Sequence, residues 1–207
     1  MLSLILTGSI ATGKSTVSNI MKKLGAIIID TDIITHSIYQ YPGPTALKII
    51  EHFGAEYLEN DQIDRKKLSK LVFDDKNHLI KLNSIVHPDI RNEVKLITEK
   101  YKNIEMQKNI SLLLVYVIPL YFEAGKNYQA DHIVVSACSE ENQLNRLIKR
   151  NNFSYEEAKV RIESQIPILE KVKQADYVIN TDQSFDKIED DVKKLLMNWK
   201  WTAYEEN

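Results

Sequence analysis

The chain has one cysteine, Cys138, in 207 residues. A lone thiol has no internal partner, so no disulfide framework holds this fold, and with no secretory leader in view the expected setting is a reducing, cytoplasmic one. The first residues, MLSLILTG, lack a basic flank and run directly into a glycine loop, so they are not expected to be a targeting segment. Long apolar runs are missing too. SLLLVYVIPL (Ser111 to Leu120) is too short to span a bilayer and has the length of a buried strand. Neither sign of charge is in large excess: 27 Lys and Arg stand against 29 Asp and Glu, interspersed, for a net charge of -2. That balance excludes a polyanion-binding tail and argues against a nucleic-acid partner. The five histidines and the cysteine show no metal-ligand spacing, which argues against a zinc centre. Repeats, low-complexity tracts and a clear linker are also absent. With 43% hydrophobic residues, the length suits one domain with a real core and room for a small appended lid.

What is present starts with a strand. Leu4 to Thr7 reads as short and buried, and after a loop comes a helix with Val17, Ile20, Met21 and Leu24 on one face, stopped by Gly25. AIIID (Ala26 to Asp30) is a second strand. Strand, helix and strand within thirty residues make a βαβ unit, which implies a parallel sheet with helices on its faces. YPGP (Tyr41 to Pro44) punctuates a loop. From Thr45 to about Lys102 the pattern is helical. One helix approaches Phe53 and Gly54, another starts near Asp64 and runs through Leu68, Leu71 and Val72, a third covers Leu79 to Val86, and Pro88 opens a fourth. No strand is expected in this stretch, which reads as a helical insertion between sheet strands. SLLLVYV, HIVVSA (His132 to Ala137) and YVIN (Tyr177 to Asn180) are the third, fourth and fifth strands. Ser139 is placed to cap a helix Glu140 to Asn151, and Ser154 with Glu157 fits a capping box for the next, through Arg161. A final helix carries Phe185, Ile188, Val192, Leu195, Leu196 and Trp199 on one stripe.

LTGSIATGKSTV (Leu6 to Val17) holds Gly8, then four residues, then Gly13, Lys14 and Ser15, between a strand and a helix. This is the phosphate-loop pattern in the context it requires. Glycines let main-chain N–H groups turn inward around an anion, and the helix N-terminus adds partial positive charge. Lys14 then reaches the β- and γ-phosphates, and Ser15 ligates Mg²⁺. IIIDTDII places Asp30 and Asp32 where the second strand ends, the edge at which open parallel sheets bind ligands. One carboxylate there can take a proton from an attacking hydroxyl and the other can orient the Mg²⁺ shell; the alternative is helix capping. A functional role is favoured for Asp32, and Asp30 stays open between the two. Arg146 and Arg150, four apart, share a helical face, with Arg161 on the next helix. They either close over a transferring phosphoryl group or form a solvated face. His87, ahead of Pro88, reads first as a packed or capping residue, with Arg91 one turn on. The loop alone fits a nucleotide switch, a nucleoside or nucleotide kinase, or another small-molecule kinase. Two absences count against the switch: NTDQ (Asn180 to Gln183) lacks the lysine of a guanine-reading Asn-Lys-x-Asp segment, and the strand ending in VIP lacks the aspartate of an NTPase metal strand.

Taken in order, these segments resemble the dephospho-coenzyme A kinase family over almost the whole chain. LTGSIATGKSTV is similar to that family's opening motif and IIDTDII to its Asp-x-Asp segment. HFGAEYL, LSKLVF and IVHPDIR follow in the family's order, VIPLYFEAG resembles its Pro-Leu-x-x-Glu segment, and QLNRLIKRN with RIESQIPILEKVKQADYVIN resembles its lid and base region. The resemblance implies ATP-dependent phosphorylation of the ribose 3′-hydroxyl of dephospho-CoA, giving CoA and ADP, the final step of coenzyme A biosynthesis, with Mg²⁺ as cofactor. It implies an α/β, P-loop nucleoside/nucleotide-kinase-like three-layer fold with a five-stranded parallel sheet, a helical acceptor-binding insertion and a lid. The core is expected at about 1–40, 108–138 and 175–207, the insertion at about 41–107 and the lid at about 139–174. Carried over by position, Asp32, Lys14 and Arg146 are the catalytic set. ATP falls to Gly8, Ala11, Thr12, Gly13, Lys14, Ser15, Thr16, Arg150 and Asn180, the last near the adenine. The acceptor falls to Asp32, His87, Arg91 and Arg161. The metal falls to Ser15, with Asp30 through water. The implied partners are ATP and dephospho-CoA, with neither nucleic acid nor membrane, and the oligomeric state stays open. Ser9 and Ala11 stand where the family usually has glycine, and Thr181-Asp182-Gln183 follow Asn180 where it often has one, so the loop and the base edge are expected to differ.

Overall fold

The computed structural model describes residues 1–199 and 201. The expected core segment 175–207 therefore has residues 200 and 202–207 outside the described residues. The chain forms two compact units, Met1–Ile29 with Lys100–Asn207, and Asp30–Glu99.

The first unit is built on the sheet. Its strands are β1 (Leu2–Gly8), β2 (Ile27–Asp30, whose last residue begins the second unit), β5 (Leu113–Val117), β6 (His132–Ala137) and β7 (Tyr177–Asn180). They lie in the order β2-β5-β1-β6-β7 and run parallel. β1 is flanked on both sides, Leu4 pairing with Val115 of β5 and with His132 of β6, and Val134 pairs onward with Tyr177. All five residues of β5 are buried, with no alternation. A central strand covered on both faces gives that pattern, because apolar side chains are needed on either side of the pleat. On one face α1 (Lys14–Lys23) and α9 (Phe185–Asn198) pack Val17, Ile20 and Met21 with Ile188, Val192 and Leu195 against Leu4, Leu6 and Val115. Phe185 departs from the expected stripe: it is 47% exposed, because it starts the helix beside a cavity instead of over the sheet. α6 (Glu140–Asn151) and α7 (Tyr155–Glu163) begin at the caps read from the sequence. Ser139 accepts from Asn142 N–H, and Ser154 with Glu157 forms the reciprocal box. A short α8 (Ile168–Val172), not foreseen, precedes β7.

The second unit holds α2 (Thr31–Ile38), α3 (Pro44–Phe53), a 3₁₀ turn (Ala55–Tyr57), β3 (Leu58–Glu59), β4 (Gln62–Ile63), α4 (Arg65–Asp74) and the first part of α5 (Lys76–Lys108). Two expectations fail here. Strand is present: β3 and β4 form an antiparallel hairpin, turned by Asn60 and Asp61 at φ 50° and 57°. Asn and Asp tolerate positive φ at both turn positions, which matches the strand twist, but strands two residues long leave no periodicity to detect. Pro88 also does not open a new helix. It lies inside α5, which runs 33 residues. The buried residues Leu82, Val86, Ile90 and Val94 stay in phase at spacings of four across it. Keeping that stripe packed outweighs the one backbone hydrogen bond that a proline forfeits. Among the described residues no helix is long and apolar enough to cross a membrane.

Restoring that bond should stabilise the protein. Pro88→Ala is expected to gain roughly 1–3 kcal/mol, since an interior proline costs about 3 kcal/mol relative to alanine. Thermal unfolding by circular dichroism checks this, and an unchanged or lower midpoint would show that α5 needs the kink.

Candidate active site

The loop between β1 and α1 is held by its own backbone and by side chains from distant parts of the first unit. Gly8 has no room for a side chain: a Cβ there would stand 2.5 Å from the Ser136 carbonyl oxygen and 2.6 Å from Thr12 Oγ1. Gly13 caps α1 at φ 84°, a left-handed angle, with the Thr181 side chain 3.0 Å from where a Cβ would be. Ala11 also has positive φ, 59°. That conformation costs an L-residue about 1–2 kcal/mol, so Ala11 carries strain in the loop itself. Ser9 is 2% exposed, and its hydroxyl has no hydrogen-bond partner among the described residues. Lys14 folds back, its Nζ donating to the Ser9 carbonyl at 2.8 Å.

The loop wall faces basic side chains across a cavity of about 450 Å³. Ala11, Gly13, Ser15 and Thr16 line one side, and Arg146, Lys149 and Arg150 of α6 line another. Thr181, Gln183, Phe185 and Ile188 complete it where β7 leads into α9. A main-chain cradle at a helix N-terminus, with three cations nearby, is suited to a polyanion. Arg146 is half-buried and fixed: Nη1 donates to Thr181 Oγ1 at 3.0 Å and Nη2 to the Thr181 carbonyl at 2.6 Å. Arg150 is exposed, its Nε donating to Asn151. Of the residues assigned to ATP, Gly8, Thr12, Lys14 and Asn180 are not among those lining this cavity, and neither is Arg161. Arg161 stacks its guanidinium 4.5 Å from the Phe153 ring, and Asn180 accepts from the Asp182 N–H through Oδ1.

The acidic pair, His87 and Arg91 belong to the second unit, whereas Arg161, also assigned to the acceptor, belongs to the first. Asp30 is the N-cap of α2, its Oδ1 accepting from Asp32 N–H at 2.8 Å, so capping is a structural duty of Asp30. Asp32 is exposed in the first turn of that helix. His87 and Arg91 are one turn apart on α5. Burial pushes the His87 imidazole pKa below the usual 6.5, and the Arg91 charge lowers it further. The unfolded chain therefore takes up this proton first, so stability falls as pH drops through about 6.5.

Sequence reasoning missed several residues that hold the site. Gln143, 2% exposed on α6, donates Nε2 to the Ile10 carbonyl at 2.7 Å, and Gln165 Oε1 accepts from Ile10 N–H at 2.8 Å. Thr181 donates to the Thr12 carbonyl at 3.0 Å while it holds Arg146. Asp182 accepts from Ser139 N–H and Asn142 Nδ2, fixing the start of α6. One of these had a signal: Gln143 shares a helix face with buried Leu147, an inward position where a polar residue needs a partner. No group of three or more His, Cys, Asp or Glu is placed to bind a metal ion among the described residues. Ser15 supplies an exposed hydroxyl on the cavity wall.

The family model of dephospho-CoA kinase matches residues 2–187. A dephospho-CoA kinase of Bacillus cereus (strain ATCC 10987 / NRS 248) is 43% identical over 195 residues, covering 94% of this chain and 95% of that protein. Among solved structures, TT1252 from Thermus thermophilus aligns with a TM-score of 0.77 at 27% identity, covering 95% of this chain and 97% of its own. Dephospho-CoA kinase from Campylobacter jejuni aligns with a TM-score of 0.58 at 31% identity, covering 95% and 96%.

Thr181→Val keeps the shape of the side chain and removes its hydroxyl, leaving the Thr12 carbonyl and Arg146 each short of a partner. The expected cost is about 1–3 kcal/mol of stability with a severalfold rise in KM for ATP. Denaturant unfolding and initial rates read both, and parent values for each would mean that the loop is held without this threonine.

Proposed function

The chain belongs to the dephospho-CoA kinase family, and from that premise we propose how its residues divide the work. The reaction is the family's: ATP-dependent phosphorylation of dephospho-CoA, the last step of coenzyme A biosynthesis. The observation that carries the assignment of ATP is the cavity between the phosphate loop and the basic side of α6. Its main-chain N–H groups and cations match a triphosphate better than any neutral ligand.

In this reading the loop from Gly8 to Thr16 binds the phosphates. Lys14 leaves the Ser9 carbonyl for the β- and γ-oxygens. Arg146 and Arg150 face the transferring group, where planar guanidinium forks suit its three equatorial oxygens. Asp32 accepts the proton of the ribose 3′-hydroxyl as that oxygen bonds to the γ-phosphorus. The bond from phosphorus to the β,γ-bridging oxygen breaks, and ADP leaves with the electron pair. His87, Arg91 and Arg161 are assigned to the acceptor, and Asn180, with the Thr181–Gln183 segment, to the edge that reads the base. The divalent cation that ATP chemistry calls for is assigned to Mg²⁺. The residues suit it: Ser15 would give a hard oxygen ligand, Asp30 would take a metal-bound water through its carboxylate, and no group of three or more His, Cys, Asp or Glu competes among the described residues. Such an ion neutralises charge on the β- and γ-oxygens when bound with ATP. The single cysteine and balanced charge support a cytoplasmic enzyme without nucleic-acid or membrane partners.

Two variants test the roles. Asp32→Asn keeps the size and loses the basicity, and should lower kcat roughly 100-fold or more while ATP affinity changes little. Near-parent turnover in the folded variant would remove Asp32 from the proton transfer. Lys14→Ala should weaken ATP binding, slow transfer, or both, with the fold intact. Unchanged ATP affinity together with parent turnover would mean that the loop does not cradle ATP, which isothermal titration and initial rates decide.

A further inference from the structure

Behind the phosphate loop lies an ion pair that the reaction does not use. Lys171, on α8, is completely buried, and its Nζ is 2.6 Å from Glu123 Oε1, which follows β5 in the chain. The same Nζ donates to the main-chain carbonyl of Gly8 at 3.4 Å. Glu123 Oε1 also accepts from the Ile166 N–H at 3.1 Å, while Oε2 is buried with no hydrogen-bond partner among the described residues. We propose that Lys171 and Glu123 are a positioning pair for ATP binding, setting the backbone of the phosphate loop from its outer side.

The argument starts from cost. Taking two charges out of water costs several kcal/mol per ion, and well-packed apolar residues of similar volume serve stability at least as well. Such a pair therefore calls for a duty other than stability. Its contacts supply one. An anion cradle needs its N–H groups turned inward, so the carbonyl at its start has to be held elsewhere. The Lys171 ammonium holds that of Gly8, where a glycine is already wedged against Ser136. Glu123 ties the ammonium to Ile166, and the adjacent Gln165 takes the N–H of Ile10. The segment 165–171 thus grips the loop at Gly8 and at Ile10, with one carboxylate fixing both grips. A neutral pair adds little field at the phosphates. Its contribution is geometric, and losing it should affect the nucleotide and spare the acceptor.

The experiment uses the full-length enzyme. Lys171→Met alone would strand a buried carboxylate, so the informative change is the double variant Glu123→Gln/Lys171→Met, which removes both charges at nearly constant volume. The expected result is a KM for ATP and a Kd for ADP raised about 10-fold or more, with KM for dephospho-CoA within about twofold of the parent. Glu123→Asp keeps the charge but cannot reach Lys171 and Ile166 together, and should shift ADP affinity in the same direction by less. Parent ADP affinity in the folded double variant overturns the proposal and leaves the pair a packing feature. Should the double variant not fold, parent ADP affinity in Glu123→Asp overturns it equally. The proposal rests on the loop being the ATP cradle, and Lys14→Ala tests that separately. If Lys14→Ala impairs ATP use while the pair variants do not, only the positioning role fails.

Discussion

A loop that offers main-chain N–H groups to an anion has to keep its carbonyls turned away and its dihedrals in sparsely populated regions. Neither condition is stable by itself. In this protein the burden falls on Gly8, the last residue of β1, and on the four residues Ser9 to Thr12 that follow the strand. Gly8 is wedged against the Ser136 carbonyl, Ile10 is held through both backbone groups by two glutamines, and the Thr12 carbonyl takes the Thr181 hydroxyl. The loop is thus shaped by side chains from α6, from the segment before α8 and from the end of β7. The parallel sheet brings those segments to one end because strands that run in the same direction all finish at the same end of the sheet.

The same contacts link the loop to the basic residues. Arg146 reaches the loop through Thr181, which bonds Thr12 on one side and the guanidinium on the other. Asp182, the next residue, holds the first turn of α6, the helix that carries Arg146 and Arg150. The end of β7 therefore sets the loop backbone and the start of α6 together. Residues bonded through one such network act as a unit, which is how their substitutions give non-additive effects.

The second unit follows a different logic. The residues proposed for proton transfer and for the acceptor sit there on helices: Asp32 in the first turn of α2, and His87 and Arg91 one turn apart on α5. Helical placement fixes side-chain direction through backbone geometry and asks less of tertiary bonding. Asp30 shows the economy of that arrangement, since the cap that starts α2 also sets the orientation of the turn holding Asp32.

The sequence by itself determined the elements whose signals are local. Five strands, the phosphate loop, the Ser139 cap and the Ser154–Glu157 box were all legible, because apolar runs, cap residues and glycine spacing act over a few neighbouring residues. The family was legible as well, since its motifs recur in order along the chain. Tertiary structure decided what local rules leave open. It carried α5 through Pro88, because packing of an in-phase apolar stripe outweighs one lost backbone bond, and it left Phe185 exposed at the head of α9. It also chose the residues that shape the loop. Lys171 in the run LEKVKQ reads as a solvated lysine, and nothing near it in the chain announces Glu123, 48 residues earlier, or Gly8, 163 residues earlier. Buried polar partners are matched by the fold and not by neighbouring sequence, because only the folded chain brings their donors and acceptors within hydrogen-bond distance.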